Sequence, residues 1–343
     1  MAGKKQVTSP AAAFNFSIHG LVRGRVRGPG WLVAPVASEL GYFREDNHRE
    51  EPPEVEISLG YLGRDSPTKA GTEVEKIGWE GRHLIARWRV TTWMENEVRR
   101  LDFRGNLASR FIVSKWVVEP TVRVLLQAKG AAMIHAAALA DGREGVLVAG
   151  AGGAGKTTWT LGWLAGGHQY LSDDFSIIYN GKLKPYLTPL RLSGQSLLNF
   201  PLLSCLTVHE KTEIWIRTLV RRLALGKVKL YFKLPPQRLL TEGQIADNVL
   251  PAGAIWLTDP AASTTPLPRF LSPEEMAAAM AAVDREEMHG FGPGWIGEEF
   301  WREHERLILA ALAGKPCLAV AGRTLPPTAP SVAGLLDQLR IPS

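Results

Sequence analysis

Gly150-Ala-Gly-Gly-Ala-Gly-Lys156-Thr157 satisfies the spacing G-x-x-x-x-G-K-[ST] in full, between an apolar run, Val146-Leu-Val-Ala149, and an amphipathic segment that begins at Thr157. This pattern has a mechanism. Gly150, Gly152, Gly153 and Gly155, with the small Ala151 and Ala154 among them, let successive backbone N–H groups converge on phosphate oxygens. A helix starting at Lys156 adds unsatisfied N–H groups and the positive end of its dipole. Lys156 is expected to reach the β- and γ-phosphates of a nucleoside triphosphate, and the Thr157 hydroxyl to sit on Mg²⁺. Thr158 is a further candidate, for an α-phosphate, through its hydroxyl or amide.

Seventeen residues after Lys156 stand Asp173 and Asp174. If the text between them and the loop is a strand–helix–strand crossover, the second strand runs parallel to the first. It then ends at the same sheet edge, and both carboxylates face the phosphates. Two acids beside a metal–triphosphate can divide the work: one holds the metal and the other takes the proton of an attacking hydroxyl. Asp174 is assigned to the metal side and Asp173 to the base. The plainer use of such a pair is to end a strand in a turn.

The elements that must position these residues read as follows. From Phe14 to about Trp116 the text is strand-like, with Trp31-Leu-Val-Ala-Pro-Val, Val55-Glu-Ile-Ser-Leu and His83-Leu-Ile-Ala-Arg-Trp-Arg-Val as candidate strands. Stretches 44–54 and 64–76 read as exposed loops. Glu119–Lys129, with Pro120 in the first turn and Gly130 just past the end, reads as a helix. Then come strands over 132–139 and 145–149, the glycine loop, a helix over 156–165 and a strand over 169–171. Strands at 228–234 and 252–257 and helices at 273–283 and 298–313 complete an α/β text. The expected organisation is 1–118, mainly β and a candidate for acceptor recognition; 119–325, catalytic; and 326–343, a C-terminal tail.

Composition narrows the class. The 343 residues are 45% hydrophobic and 22% charged, enough for one large or two smaller cores, and a formal charge of +6 is spread along the chain. No aromatic–basic interleaving of the kind that single-stranded nucleic acid requires is visible. Cys205 and Cys317 are too few for a disulfide framework or a thiolate metal site. No apolar run approaches a membrane span and the N-terminus lacks a signal-peptide core, so a cytoplasmic protein without nucleic-acid or membrane partners is expected. His168, His209 and His304 are not at metal-ligand spacing with one another. The glycine-containing stretch His289–Trp295 reads as a connection between helices, with a mobile lid as the alternative use.

Taken together, His135 in Met133-Ile-His-Ala-Ala-Ala, the loop at 150–157 and Gly167-His-Gln-Tyr-Leu-Ser-Asp173-Asp174 resemble the catalytic domain of HPr kinase/phosphorylase and its relatives. That family shares a P-loop fold with phosphoenolpyruvate carboxykinase, and the short spacing to the acidic pair is the discriminating feature. The resemblance spans about 119–283 and is strong at 135–174. It implies an α/β, phosphoenolpyruvate-carboxykinase-like P-loop domain with His135 close to the transferred group, Asp173 as the base, and Thr157 with Asp174 on Mg²⁺. Pro189-Leu-Arg191-Leu is the counterpart of an Arg-bearing segment in the related kinases, so Arg191 is carried over as a phosphate contact. By residue type alone, His135 between apolar neighbours is a core histidine. The arginine-rich signature that serves HPr phosphorylation and its reversal in the bifunctional enzymes is not found here.

The activity implied is transfer of the γ-phosphoryl of ATP, or of GTP or another phosphoryl donor, with Mg²⁺, to a hydroxyl on a protein, a peptide or a small molecule. The family's assembly into rings implies a homo-oligomer. The competing reading is a nucleotide-binding regulatory or assembly module with little or no kinase activity.

Overall fold

The computed structural model describes residues 11–45, 52–62, 75–223, 231–240, 242–259, 266–288, 296–322, 324, 326, 329 and 331–340. The class is mixed α/β. The chain divides into two compact units, Met1–Lys129 with Glu287–Phe300 and Gly130–Glu286 with Trp301–Ser343. The boundary therefore falls at Lys129, after the helix that the sequence reading placed in the second domain. The stretch 289–295, read as a connection or lid, lies outside the described residues, as does most of 64–76.

In the first unit, β1 (Ala11–Ile18), β2 (Val22–Pro29), β3 (Val55–Tyr61), β4 (Ile77–His83), β5 (Ala86–Glu95) and β6 (Val98–Gly105) form one sheet in the order β1-β2-β3-β6-β5-β4. Period-two alternation sends Phe14, Phe16, Ile18, Val22, Val26, Ile57, Val90 and Phe103 to the buried face. The other face carries paired charge, with Arg25 and Arg100 on Glu56 and Arg104 on Asp102. Trp31–Val36, expected as a strand, lies in α1 (Gly30–Glu39), which buries Leu32, Val33 and Val36. A short apolar run has no decisive period, and here the helical spacing of the buried residues prevails. The strand expected over 83–90 is broken at Leu84 and Ile85. Leu84 takes a φ of 52° in a two-residue turn without being glycine, which hides the hairpin in the text. The helix α2 (Glu119–Ala128) matches its reading and starts with Pro120 in its first turn.

The second unit begins with β7 (Ala131–Ile134), β8 (Ala136–Asp141), β9 (Glu144–Ala149), α3 (Lys156–Ala165) and β10 (Gln169–Ser172). The strand expected over 132–139 is two strands parted at His135. β7 joins a three-stranded sheet with β11 (Phe175–Tyr179) and β12 (Lys182–Tyr186), while β8 joins the main sheet. An unbroken run of apolar residues, Ala131 to Leu139 apart from His135, gave no sign of the break.

Next come β13 (Leu190–Leu192), α4 (Gly194–Asn199), α5 (Val208–Leu223) and β14 (Phe232–Leu234), with β13 and β14 paired as a small ribbon. β15 (Leu250–Thr258), β16 (Arg269–Leu271), α6 (Pro273–Glu287), α7 (Glu298–Leu312), β17 (Cys317–Ala321) and α8 (Val332–Arg340) complete the order. The main sheet runs β10-β8-β9-β15-β17-β16. β15 is parallel to β9 and to β17, whereas β8 is antiparallel to both β9 and β10. The crossover expectation is thus met in direction but not in adjacency: β9 and β10 run the same way with the reversed β8 between them.

Alternate residues of β8 and β9 feed two cores. Ala137, Leu139, Val146 and Val148 pack with Trp159 and Trp163 of α3 and Leu335 and Leu336 of α8. Ala136, Ala138, Leu147 and Ala149 pack with Met276 and Met280 of α6 and Ile308 and Leu312 of α7. Helices therefore cover both faces of the sheet. The segment read as a C-terminal tail contains α8, whose Val332, Leu335 and Leu336 are buried. Burial of such a side chain contributes about 1.5–3 kcal/mol. Truncation before Val332 is accordingly expected to destabilise the second unit by several kcal/mol, read as a clear loss of denaturant midpoint; an unchanged midpoint would refute the packing.

Candidate phosphate-binding site

The direction of the strands decides which residues meet. The C-terminal ends of β9, β10, β15 and β17 and the N-terminal end of β8 all lie at one edge of the main sheet. Gly150–Gly155 follow β9, Asp173 and Asp174 follow β10, and His135 immediately precedes β8. Sequence-distant residues are gathered there by topology alone.

The loop has the backbone that its composition suggests. Gly150, Gly153 and Gly155 take φ values of 150°, 87° and 113°, in the left-handed half of the map where a side chain is strained. A Cβ on Gly150 would lie 2.7 Å from the Leu257 carbonyl oxygen, so the loop is pressed against β15 as well as freed to turn. Ala151, Gly152 and Gly153 are exposed, while Ala154 is tucked in. The N–H of Trp159 donates to the Gly155 carbonyl at 3.0 Å as a helical bond of α3. Lys156, Thr157 and Thr158 form the first turn of α3, the end of a helix at which backbone N–H groups and the helix dipole favour an anion.

Lys156 is buried, and its ammonium donates to the Gly150 carbonyl at 2.8 Å, folded over its own loop. Thr157 donates its hydroxyl to Asp173 Oδ2 at 3.0 Å. Asp173 is buried. Among the described residues its enclosed Oδ1 has no hydrogen-bond partner, the adjacent Thr160 hydroxyl being donated to the Lys156 carbonyl at 3.2 Å. Burial, reinforced by the neighbouring Asp174 charge, pushes the Asp173 carboxyl up to about 6, against the opposing pull of the Thr157 and Thr160 hydroxyls and Arg191. The same burial and both carboxylates push the Tyr170 phenol well above its ordinary value.

Asp174 has a different neighbourhood. Arg191 Nη2 lies 2.8 Å from its Oδ2, and His135 Nδ1 lies 3.8 Å from its Oδ1. The His135 ring also packs edge-on against Phe175, at 5.0 Å between centroids. Sequence reasoning paired Thr157 with Asp174; the Thr157 hydroxyl is hydrogen-bonded to Asp173. His135, Arg191, Lys156, Thr157 and both acids share the edge, and Thr158 follows partly exposed on the first turn of α3.

Three contributors escaped the sequence reading. Asp259 stands just past the end of β15, the parallel neighbour of β9. An apolar strand ending in an acid beside the loop strand is a signal in the text, but it has meaning only once β15 is known to adjoin β9. Gly322, just past β17, donates its N–H to Thr258 at 2.7 Å, and a Cβ there would sit 2.6 Å from the Ala154 carbonyl oxygen. Asp284 accepts the backbone N–H of His135 at 2.8 Å.

The donor set fits a hard cation. Magnesium beside a triphosphate takes most of its oxygens from phosphate and water and needs only one or two protein ligands. The Thr157 hydroxyl and the Asp173 Oδ2 that accepts from it supply that number. Among the described residues no group of three or more His, Cys, Asp or Glu is assembled, and such a site does not call for one. Compared with known protein families the chain matches none, and compared with curated proteins it matches none. Among the described residues no helix is long and apolar enough to cross a membrane.

An acid whose value is raised on folding is protonated more in the native state, so it favours folding at low pH and that contribution is lost as pH rises from about 4 to about 6. Asp173→Asn, which cannot ionise, is expected to be more stable than the parent at pH 7.5 by on the order of 2 kcal/mol. The gain should vanish below pH 4. Denaturant unfolding at both pH values measures it, and equal stability at pH 7.5 would contradict the burial argument.

Proposed function

We propose that the second unit binds a nucleoside triphosphate, with ATP as the first choice, together with magnesium, and transfers its γ-phosphoryl group to a hydroxyl acceptor. The observation that carries this reading is the convergence at one sheet edge of the glycine loop, the Thr157–Asp173 hydrogen bond and the Asp174–Arg191–His135 group. A loop alone would support nucleotide binding. Acids and a cation arranged beside it support chemistry on the phosphate. The arrangement also supports a phosphoenolpyruvate-carboxykinase-like P-loop fold of the HPr-kinase type for this unit, because the acidic pair follows the loop after a single helix and strand.

In this reading the loop N–H groups and the first turn of α3 hold the phosphate oxygens, and Lys156 leaves the Gly150 carbonyl to reach the β- and γ-phosphates. Thr157 and Asp173 stand on the metal side; magnesium, when bound, supplies charge neutralisation along the triphosphate. Asp173 also takes the proton of the attacking hydroxyl, which its Oδ1 is placed to accept and its near-neutral titration favours. Arg191, oriented by Asp174, faces the transferred group as a fixed positive charge. His135 lends a second polar group on the same side. Most of the rate enhancement in such a centre comes from positioning and electrostatics.

Magnesium-ATP added to the purified protein is expected to raise its melting temperature, and Lys156→Ala to abolish that rise. A ligand at a hundred times its Kd adds about 2.7 kcal/mol. No rise with ATP, GTP, ADP or pyrophosphate would sink the proposal at its first step. Transfer is tested with γ-labelled ATP on a lysate from which the acceptor can be labelled: Asp173→Asn should lower labelling at least a hundredfold while keeping nucleotide binding. Retained labelling in that variant would reassign the base. Because Asp173 must be ionised either to hold metal or to accept a proton, kcat/KM, which reports the free protein, is expected to fall as pH drops through about 6. A flat profile between pH 5 and 8 would remove Asp173 from the chemistry.

A further inference from the structure

His135 stands where the chain passes from one sheet to another. Ile134 is the last residue of β7 in register with β11, and Ala136 is the first of β8 in register with β9, so His135 belongs to neither ladder. Its backbone N–H is nevertheless buried, and a buried donor without an acceptor is costly. The acceptor is a side chain 149 residues away: Asp284 of α6, fully buried, takes this N–H on Oδ1 at 2.8 Å. Its other oxygen, Oδ2, lies 2.9 Å from Nε2 of His304 on α7, itself almost fully buried. The neighbouring positions on these helices, Met280, Ala281 and Ile308, are core residues.

A carboxylate with both oxygens committed inside an apolar core is expensive to maintain, and a core of these helices would pack without it. Its service is directional. One oxygen sets the backbone of His135 and the other is itself held by a ring fixed on a second helix. The pair also stands at both ends of the excursion by which the chain leaves the second unit after Glu286 and returns at Trp301.

We infer that Asp284 and His304 act as a positioning pair that holds His135 at the phosphate-binding edge, so that its ring stays beside Asp174. The inference takes its functional meaning from the phosphoryl-transfer reading above, and the experiment separates the two. The Asp284 carboxylate joins the His135 N–H to the His304 ring, so the pair acts through His135 as positioning residues.

Hydrogen–deuterium exchange of the full-length protein, resolved to the His135 amide, reads the positioning without any need for activity. Asp284→Ala and His304→Ala are expected to speed that exchange at least tenfold. Asp284→Asn, which keeps an oxygen for the His135 N–H, and His304→Gln, which keeps a donor, should stay near the parent and also guard against misfolding of the alanine variants. Ile308→Val is the control for a general loosening of the α6–α7 core. With magnesium-ATP, Asp284→Ala should lower the turnover number at least tenfold and leave nucleotide Kd within about twofold.

Unchanged His135 exchange in Asp284→Ala overturns the inference, as does an equal rise in Ile308→Val. Faster exchange with an unchanged turnover number also overturns it, since His135 would then be held to no catalytic purpose. Faster exchange in a protein whose parent form shows no turnover upholds the positioning of His135 and counts against the phosphoryl-transfer reading instead.

Discussion

The reversed strand β8 is the constraint on which the site depends. Because β8 runs antiparallel to both β9 and β10, those two strands point the same way, and their following loops emerge at one edge. The same reversal brings the beginning of β8, and with it His135, to that edge. A side chain before one strand and side chains after two others thus become neighbours without any long loop. The cost is local: the chain must leave one sheet and enter another at a single residue, where a ladder partner for the His135 N–H is missing and Asp284 replaces it.

Electrostatics at that edge works against the fold. A lysine and a carboxylate are buried within a few residues of each other in space, and a second carboxylate lies beside the first. Lys156 is satisfied by a loop carbonyl, Asp174 by Arg191, and Asp173 only in part, by the Thr157 hydroxyl. An incompletely satisfied buried acid is a store of unfavourable energy that a cation or a proton relieves. This makes Asp173 sensitive to pH, its carboxyl being pushed up to about 6.

The two units manage charge in contrasting ways. The sheet of the first unit sets its arginines against its own acids across neighbouring strands, in pairs such as Arg25–Glu56, on a partly exposed face where such pairs contribute little to stability. The second unit uses small side chains to bring backbone close to backbone. The alanines of β8 admit α6 and α7 on one side, and Gly150 and Gly322 let β15 and the residues beyond β17 press against the glycine loop. Shape in one unit and charge pairing in the other follow from the same rule, that a buried polar group needs a partner.

The sequence by itself determined the loop, its helix and the presence of an acidic pair after it, because those are local: glycine is required where φ turns positive, Lys156 and Thr157 begin α3 at the spacing the motif sets, and the strand ending in Asp173 lies one helix away. It also revealed β9, β10, β14 and β15 through their apolar runs, but not β11, β12, β13, β16 or β17. Which carboxylate meets Thr157 was decided only by the tertiary structure, since adjacent residues at a strand end point in different directions and the text cannot show which is turned inward. The helix at Gly30–Glu39, the turn hidden at Leu84 and the break at His135 were likewise out of reach, because short apolar runs carry no period that separates helix from strand. Asp284, Asp259 and Gly322 became part of the site through strand order and helix packing, interactions between residues more than a hundred positions apart that no local spacing encodes.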